Sequence, residues 1–318
     1  MTDDSLFSIQ ASLVLLLLAG CAIVFPLGAP SPTVEDPVAS FRIIAYATEA
    51  IVVDIVPFDR LTHLNYAFLI PNRDGTFQRL LNPWKLDRLV EEAHRHGVKV
   101  LISVGGWGWD AQFEEMAAQP ESRSAFVGNL VQFVAEHGVD GADIDWEYPD
   151  PGPSAQHFLD LMTELRAALD GKLLTAAVVA YGPQARGVPV ETFDLMDFVN
   201  LMTYDGPDHG TMEQARRGLD DWLGRGLPPA KAVLGVPFYS RPEGTPYAEL
   251  VRADPAASNL DELDLFGVHH VYNGIPTIQA KTRLALDRAG GIMFWALDHD
   301  APGEFSLVEA IFAAARAP

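Results

Sequence analysis

Three acidic residues, each separated from the next by one residue, are the first candidates for chemistry: Asp143, Asp145 and Glu147. In an extended strand alternate side chains share a face, so the three point one way, successive members about 6 to 7 Å apart. Carboxyl groups this close cannot all ionise comfortably, so at least one keeps a proton near neutral pH. Glu147, the outermost, is therefore the predicted general acid, with Asp145 stabilising a charged intermediate and Asp143 tuning Asp145.

The elements that must position these acids form one repeating series. Eight short apolar runs begin near residues 42, 61, 98, 139, 173, 198, 232 and 291, and segments of helical periodicity separate them. Such alternation predicts an α/β fold with a parallel sheet. Eight units in about 275 residues favour a closed (β/α)8 TIM barrel over an open sheet. We predict one catalytic domain over residues 41–318, with its active site at the C-terminal ends of the strands, where the acids fall.

The acidic run extends back to Asp140 and then has the form D-x-x-D-x-D-x-E, which resembles the signature of glycoside hydrolase family 18, the chitinases and their relatives. Other predicted strand ends are similar to motifs of the same family. These are S-x-G-G at Ser103, Gly105 and Gly106, M-x-Y-D at Met202, Tyr204 and Asp205, the eighth-strand Trp295, and the segments 64–68 and 237–241. The resemblance covers essentially the whole predicted domain.

The resemblance implies retaining cleavage of the β-1,4 bonds of chitin by substrate-assisted catalysis, in which the 2-acetamido oxygen of the sugar replaces an enzyme nucleophile. Glu147 would protonate the glycosidic oxygen, Asp145 would stabilise the developing charge and Tyr204 would position the acetamido oxygen. Ser103, Gly105 and Gly106 are expected to be packing residues, and Asp140, of opposite parity to the triad, to be structural. The candidate substrate-binding residues are Trp295, Asp205, Met202, Tyr46, Trp107, Tyr239 and Arg241. For Tyr46, Trp107 and Trp109, the alternative is a purely apolar rim.

The acidic signature alone leaves other functions open. One is an endo-β-N-acetylglucosaminidase acting on the chitobiose core of N-glycans, and another is a glucosaminidase acting on peptidoglycan. From a different class, a non-catalytic chitin-binding lectin is possible, although such proteins typically lack the acid that Glu147 provides here. The form of residues 145–149 favours chitin. Residues 242–274 are too few for the full insertion subdomain of processive chitinases, so we expect a shallow groove and endo action.

Composition excludes several other classes. The 22 basic and 43 acidic residues give a net charge of −21, which is incompatible with phosphate recognition by clustered Lys and Arg. The single Cys21 allows neither an intrachain disulfide nor a thiolate zinc site. His269 and His270 fall in a predicted loop without acidic partners at ligand spacing. We therefore expect no metal and no cofactor, and a monomer whose partner is chitin or another GlcNAc-containing oligosaccharide.

The first forty residues are predicted to be an export signal and a tether. Residues 13–25 carry no charge, and this run is shorter than the roughly 20 residues that span a bilayer but matches a signal-peptide core. The segment ending at Cys21 resembles a bacterial lipobox, which implies a signal peptide at 1–20, a lipid on Cys21 and a Pro-rich linker at 21–40. The expected location is the cell envelope. An uncleaved anchor or secretion remains open, as does the start codon, because Asp3 and Asp4 occupy a normally basic region.

Overall fold

Eight parallel strands close into a barrel in the computed structural model, which describes residues 41–265 and 267–317. Neighbours around the barrel are also neighbours in the chain, and the last strand pairs with the first. The predicted (β/α)8 barrel is therefore confirmed. The strands are β1 (Arg42–Thr48), β2 (His63–Leu69), β3 (Lys99–Gly105), β4 (Gly141–Asp145), β5 (Leu173–Val179), β6 (Phe198–Met202), β7 (Ala232–Pro237) and, last in the chain, β10 (Gly291–Trp295).

Helices cover the outside of the barrel with their apolar faces. In the first of them Leu86, Leu89, Val90 and Ala93 are buried, as their i, i+3, i+4, i+7 spacing predicts. Several of the helices begin at a proline, whose fixed φ suits the first helical position. The helices in the described part of the chain are α1 (Pro83–Arg95), α2 (Asp110–Ala118), α3 (Pro120–His137), α4 (Pro153–Ala168), α5 (Met212–Gly224), α6 (Tyr247–Ala253), α7 (Ile275–Arg288) and α8 (Leu307–Arg316).

The segment between β7 and β10 holds α6 and a small antiparallel hairpin formed by β8 (Glu262–Leu265) and β9 (Val268–Val271). The prediction that His269 lies in a loop without acidic partners is wrong. It lies in β9, and its ring nitrogens are 2.8 Å from Asp264 and 3.5 Å from Glu262 across the hairpin. Antiparallel pairing places Asp264 opposite His269 and Glu262 diagonal to it, which no local spacing reveals. Among the described residues, no cluster of three or more His, Cys, Asp or Glu side chains is arranged to hold a metal.

Successive side chains of β4 and of the residue after it alternate between the barrel interior and the apolar layer under the helices. Asp143 and Asp145 face the barrel interior, whereas Ile144 and Trp146 pack in the layer between strands and helices. The Trp146 ring stacks on Phe113 at a centroid distance of 5.2 Å. The predicted common face of the two aspartates is thus present.

The predicted strand over residues 139–147 is longer than the observed one. Strand β4 ends at Asp145 because its last partners are Gly105 in β3 and, for Ile144, Ala176 in β5. Glu147 therefore lies on the loop that follows the strand and not on its regular face. Cys21 and the predicted signal and linker lie outside the described residues. Over 41–265 and 267–317, no helix has the length and apolar character needed to cross a membrane.

Candidate active site

Asp143 forms the floor of the site, and four donors surround its carboxyl group. Oδ2 accepts hydrogen bonds from the hydroxyls of Tyr46, at 2.7 Å, and Ser103, at 2.9 Å. Oδ1 accepts from the Thr175 hydroxyl at 2.6 Å and the Asn200 amide at 3.2 Å. Complete burial raises the pKa of Asp143, and the four donors act in the opposite direction. Because every acceptor position faces a donor, the hydrogen bonds favour the carboxylate form.

Two of these donors, Thr175 and Asn200, were missed by sequence reasoning, although a signal for them exists. Each is the single polar residue that points inward from an otherwise apolar strand, and both are fully buried. In a parallel barrel such a residue must find a partner inside. Ser103, predicted as a packing residue, is instead a donor to the buried carboxylate.

Asp145 lies above Asp143 and is only 3% exposed. Its pKa is raised well above the ordinary value, first by burial and then by the charges of Glu147 and Asp143. Its Oδ1 has no hydrogen-bond partner within the part of the chain that the structure describes. Burial and the two neighbouring acids therefore favour the neutral form of Asp145.

Glu147 is the outermost of the three acids and is half-buried. The pKa of Glu147 is raised to about 7, chiefly by burial; a hydrogen bond with Tyr148 opposes this rise, and the negative charge of Asp205 adds to it. A carboxyl group with such a pKa remains largely protonated up to neutral pH. It is therefore suited to donate a proton there and to take one back afterwards.

A cavity of about 810 Å³ opens above these acids at the C-terminal ends of the strands. The structure brings most of the predicted site residues to its lining: Tyr46, Gly105, Trp107, Asp145, Glu147, Met202, Tyr204, Asp205, Tyr239, Arg241 and Trp295. Trp107 is 78% exposed at the rim. Asp140 is at the opposite end of β4, where it accepts hydrogen bonds from the Val100 amide and the Lys99 ammonium.

The aromatic base of the cavity is formed by Trp295. Its ring stacks on Phe68 at 5.3 Å and 17° and lies 5.8 Å from the Tyr46 ring. Nearby, the Tyr204 hydroxyl is 3.9 Å from the sulfur of Met293, a weak acceptor. Tyr204 can therefore donate its proton to an incoming oxygen without giving up a strong bond.

One wall of the cavity was not foreseen from the sequence. The Tyr181 hydroxyl donates to Asp208 at 2.5 Å, and the guanidinium of Arg217 lies over the Tyr181 ring at 4.0 Å. Both Tyr181 and Asp208 line the cavity. Their position shows only after β5 and β6 are placed side by side, since each follows the end of one of these strands.

The glycines of the third strand end are required by close contacts. Gly105 has φ +111°, and a Cβ at this position would lie 2.3 Å from the backbone oxygen of Asp145 and 2.5 Å from the Phe113 ring. We expect Gly105→Ala to lower the free energy of unfolding by about 3 kcal/mol or more, from backbone strain and overpacking. Gly108 is a matched control, because it has φ +94° and, apart from its chain neighbours, no described residue has an atom within 4 Å of its Cβ position. Urea denaturation of the two alanine variants should show a clearly larger loss for Gly105, and equal losses would contradict the steric account.

Comparisons with known proteins agree with this geometry. The family model described as glycosyl hydrolases family 18 matches residues 42–265. A crystal structure of the GH18 chitinase ChiB from the chitin utilization locus of Flavobacterium johnsoniae superposes with a TM-score of 0.75 at 30% identity, covering 87% of this chain and 94% of that one.

Two curated relatives match a shorter part of the chain. A chitinase-like effector of Moniliophthora roreri is 30% identical over 58% of this chain and 53% of its own length. Chitinase A1 of Niallia circulans is 33% identical over 45% of this chain and 27% of its own length. The match thus spans about half of the first relative and about a quarter of the second.

Proposed function

The chain belongs to family 18 of the glycosyl hydrolases, and from this membership we propose that it cleaves the β-1,4 bonds between N-acetylglucosamine units of chitin or chitin oligosaccharides with retention of configuration. The observation that carries the proposal is the row of three acids: Asp143 with its four hydrogen-bond donors, Asp145 whose pKa burial raises well above the ordinary value, and a half-buried Glu147 whose pKa is about 7.

In the proposed reaction Glu147 donates its proton to the glycosidic oxygen as the bond to the anomeric carbon breaks. The 2-acetamido oxygen of the same sugar bonds to that carbon and forms an oxazolinium ion. Water then attacks the anomeric carbon from the opposite face, and the Glu147 carboxylate takes its proton. The enzyme ends with the proton it began with, and two displacements leave the configuration unchanged.

The residues around Glu147 support the other requirements of this reaction. The carboxyl group of Asp145 lines the cavity and can accept the acetamido N–H, and a positive charge growing there lowers the pKa of Asp145. A carboxylate at Asp145 stabilises the positive charge that develops on the acetamido nitrogen. Tyr204 donates to the acetamido oxygen and holds it in line. Trp295 offers a flat apolar face beneath the sugar ring.

The substrate is tested directly by product analysis. The full chain is incubated with chitin oligosaccharides and, separately, with a high-mannose glycopeptide and with peptidoglycan, and the products are identified by mass. Shortened chitin oligomers from internal bonds are the expected result. Release of the glycan from the peptide alone would favour the chitobiose-core endoglucosaminidase. Binding of chitin by the folded protein without any cleavage would favour the lectin function.

The pH dependence of hydrolysis should follow the protonation state of Glu147. The acid must be protonated to donate, and its pKa lies near 7, so kcat/KM should fall about tenfold per pH unit above that pH. Removing the nearby charge with Asp205→Asn should move this alkaline limb to lower pH, because the Asp205 charge raises the pKa of Glu147. Rates across pH 5 to about 9 measure both effects. A flat profile through pH 9 would exclude Glu147 as the donor.

We also propose that the chain is exported and lipid-anchored through Cys21. The support is the lipobox-like segment that ends at this residue. In a bacterial host fed labelled palmitate, the protein should take up label and lose it on Cys21→Ser. Unlabelled protein in the medium would instead indicate an ordinary signal peptide.

A further inference from the structure

His209 lies next to the active site but outside its cavity lining, and it is only 4% exposed. Its Nδ1 accepts a hydrogen bond from the backbone N–H of Asp205 at 3.0 Å, and its Nε2 is 3.2 Å from the backbone oxygen of Tyr239. Since an N–H group only donates and a carbonyl only accepts, Nδ1 must be bare and Nε2 must carry the proton. The geometry therefore fixes both the tautomer and the neutral state of His209.

The residue that His209 holds has an unusual backbone. Asp205 is the only residue other than glycine with a positive φ, at 64°, among the described residues. A left-handed conformation is unfavourable for aspartate and persists only where the surroundings enforce it. His209 bonds its N–H, and the Gln214 amide donates to its carbonyl at 2.8 Å. The backbone of Asp205 is thus fixed on both sides.

The side chain of Asp205 also bonds to Tyr239. Its Oδ1 accepts the Tyr239 hydroxyl and the Arg241 Nε, each at 2.7 Å. Asp205 and Tyr239 are therefore connected twice, once directly and once through the His209 ring. This closed ring of contacts fixes the direction of the Asp205 carboxylate, the charge that acts on Glu147.

We propose that His209 is a positioning residue for the glycosidase reaction: in its neutral form it holds Asp205 so that the carboxylate stays directed at Glu147 and at the bound sugar. This inference rests on the proposed function. Burial keeps His209 neutral by lowering its pKa, helped by the positive charges of Arg241 and Lys281 and opposed by Asp205 and by the bond to Tyr239.

Two substitutions each retain one of the two hydrogen bonds that His209 forms, either the bond to Asp205 or the bond to Tyr239. The Oδ1 of asparagine reaches the place of the histidine Nδ1, so His209→Asn retains an acceptor for Asp205. The amide of glutamine reaches the place of Nε2, so His209→Gln retains only the bond to Tyr239. We expect His209→Gln to lower kcat/KM by about 10- to 100-fold and to shift the alkaline limb towards that of Asp205→Asn. His209→Asn should keep the wild-type limb and activity within about threefold.

His63→Asn serves as the control for a partly buried histidine without such a role. His63 begins β2 at the other end of the barrel, where Nδ1 pairs with Thr62 at 2.8 Å. This variant should lose stability without any shift of the alkaline limb. The proposal would be overturned if the alkaline limb of the His209→Asn profile moved as far as that of Asp205→Asn. It would also be overturned if the alkaline limb of His209→Gln were identical to that of the wild type. Either variant decides the question if the other does not fold.

A second measurement keeps this inference separate from the proposed function. The titration of Glu147 is followed without substrate by carbon NMR of labelled glutamate carboxyl groups, with Glu147→Gln supplying the assignment. The midpoint should fall in His209→Gln and remain in His209→Asn. Wild-type protein that cleaves no glycoside but shows this pattern would refute the proposed function and retain the positioning role. Equal midpoints in both variants would refute the positioning role alone.

Discussion

Glu147→Gln is expected to reduce the hydrolysis of chitin oligosaccharides by about 10³-fold or more while oligosaccharide binding is retained. Glutamine has nearly the volume of glutamic acid and keeps hydrogen-bonding atoms in the half-buried position, but it has no proton to give to the glycosidic oxygen. The loss should therefore fall on kcat, with little change in the dissociation constant. Initial rates and calorimetric titration with a chitin tetramer measure the two quantities.

The control for Glu147→Gln is Glu164→Gln. Glu164 is a surface acid on α4 that accepts a hydrogen bond from Arg123 at 2.7 Å, on the outside of the barrel. This variant should keep the wild-type rate. Hydrolysis that survives Glu147→Gln at a comparable rate would remove Glu147 from the role of proton donor.

Asp145→Asn is expected to lower kcat by about 10² to 10³-fold, again with a small effect on KM. The amide keeps the shape of the carboxyl group but cannot become negative when the positive charge develops on the acetamido nitrogen. The buried position makes this loss large, because no water replaces the missing charge. Steady-state kinetics on a chitin oligomer should show the change in kcat.

The matched comparison for Asp145→Asn is Asp143→Asn, one step deeper in the barrel. There the amide would also present N–H groups to some of the four donors around position 143, so loss of stability should accompany loss of rate. Within residues 41–265 and 267–317, the Oδ1 of Asp145 has no such partners, so Asp145→Asn should retain the wild-type urea midpoint. Loss of kcat only in parallel with loss of folded protein would contradict a charge role for Asp145.

The barrel and the acidic row were predictable because both depend on local periodicity. Strand alternation places Asp143 and Asp145 on one face whichever strands lie beside β4. The position of Glu147 was harder to predict from the sequence, because the end of β4 is set by where β3 and β5 stop pairing. A pattern of single residues cannot show where a neighbouring strand ends.

The supporting contacts required the tertiary structure. His209 looks unremarkable in the sequence, and its importance comes from its bond to the backbone N–H of Asp205, which it links to Tyr239 beyond the end of β7. Tyr181 and Asp208 meet only because β5 and β6 are neighbours. Thr175 and Asn200 are the exceptions, since an inward polar residue in an apolar strand predicts a buried partner even when that partner is unknown.

The central claim is that Glu147 and the acetamido group of the substrate together cleave the glycosidic bond with retention. The most direct test is proton NMR of the anomeric signals during the first minutes of hydrolysis of a chitin tetramer by the full chain. The account predicts that the new reducing ends appear first as the β anomer and only later mutarotate, and that no product forms with Glu147→Gln. New ends that appear first as the α anomer, or product formed equally by Glu147→Gln, would contradict it.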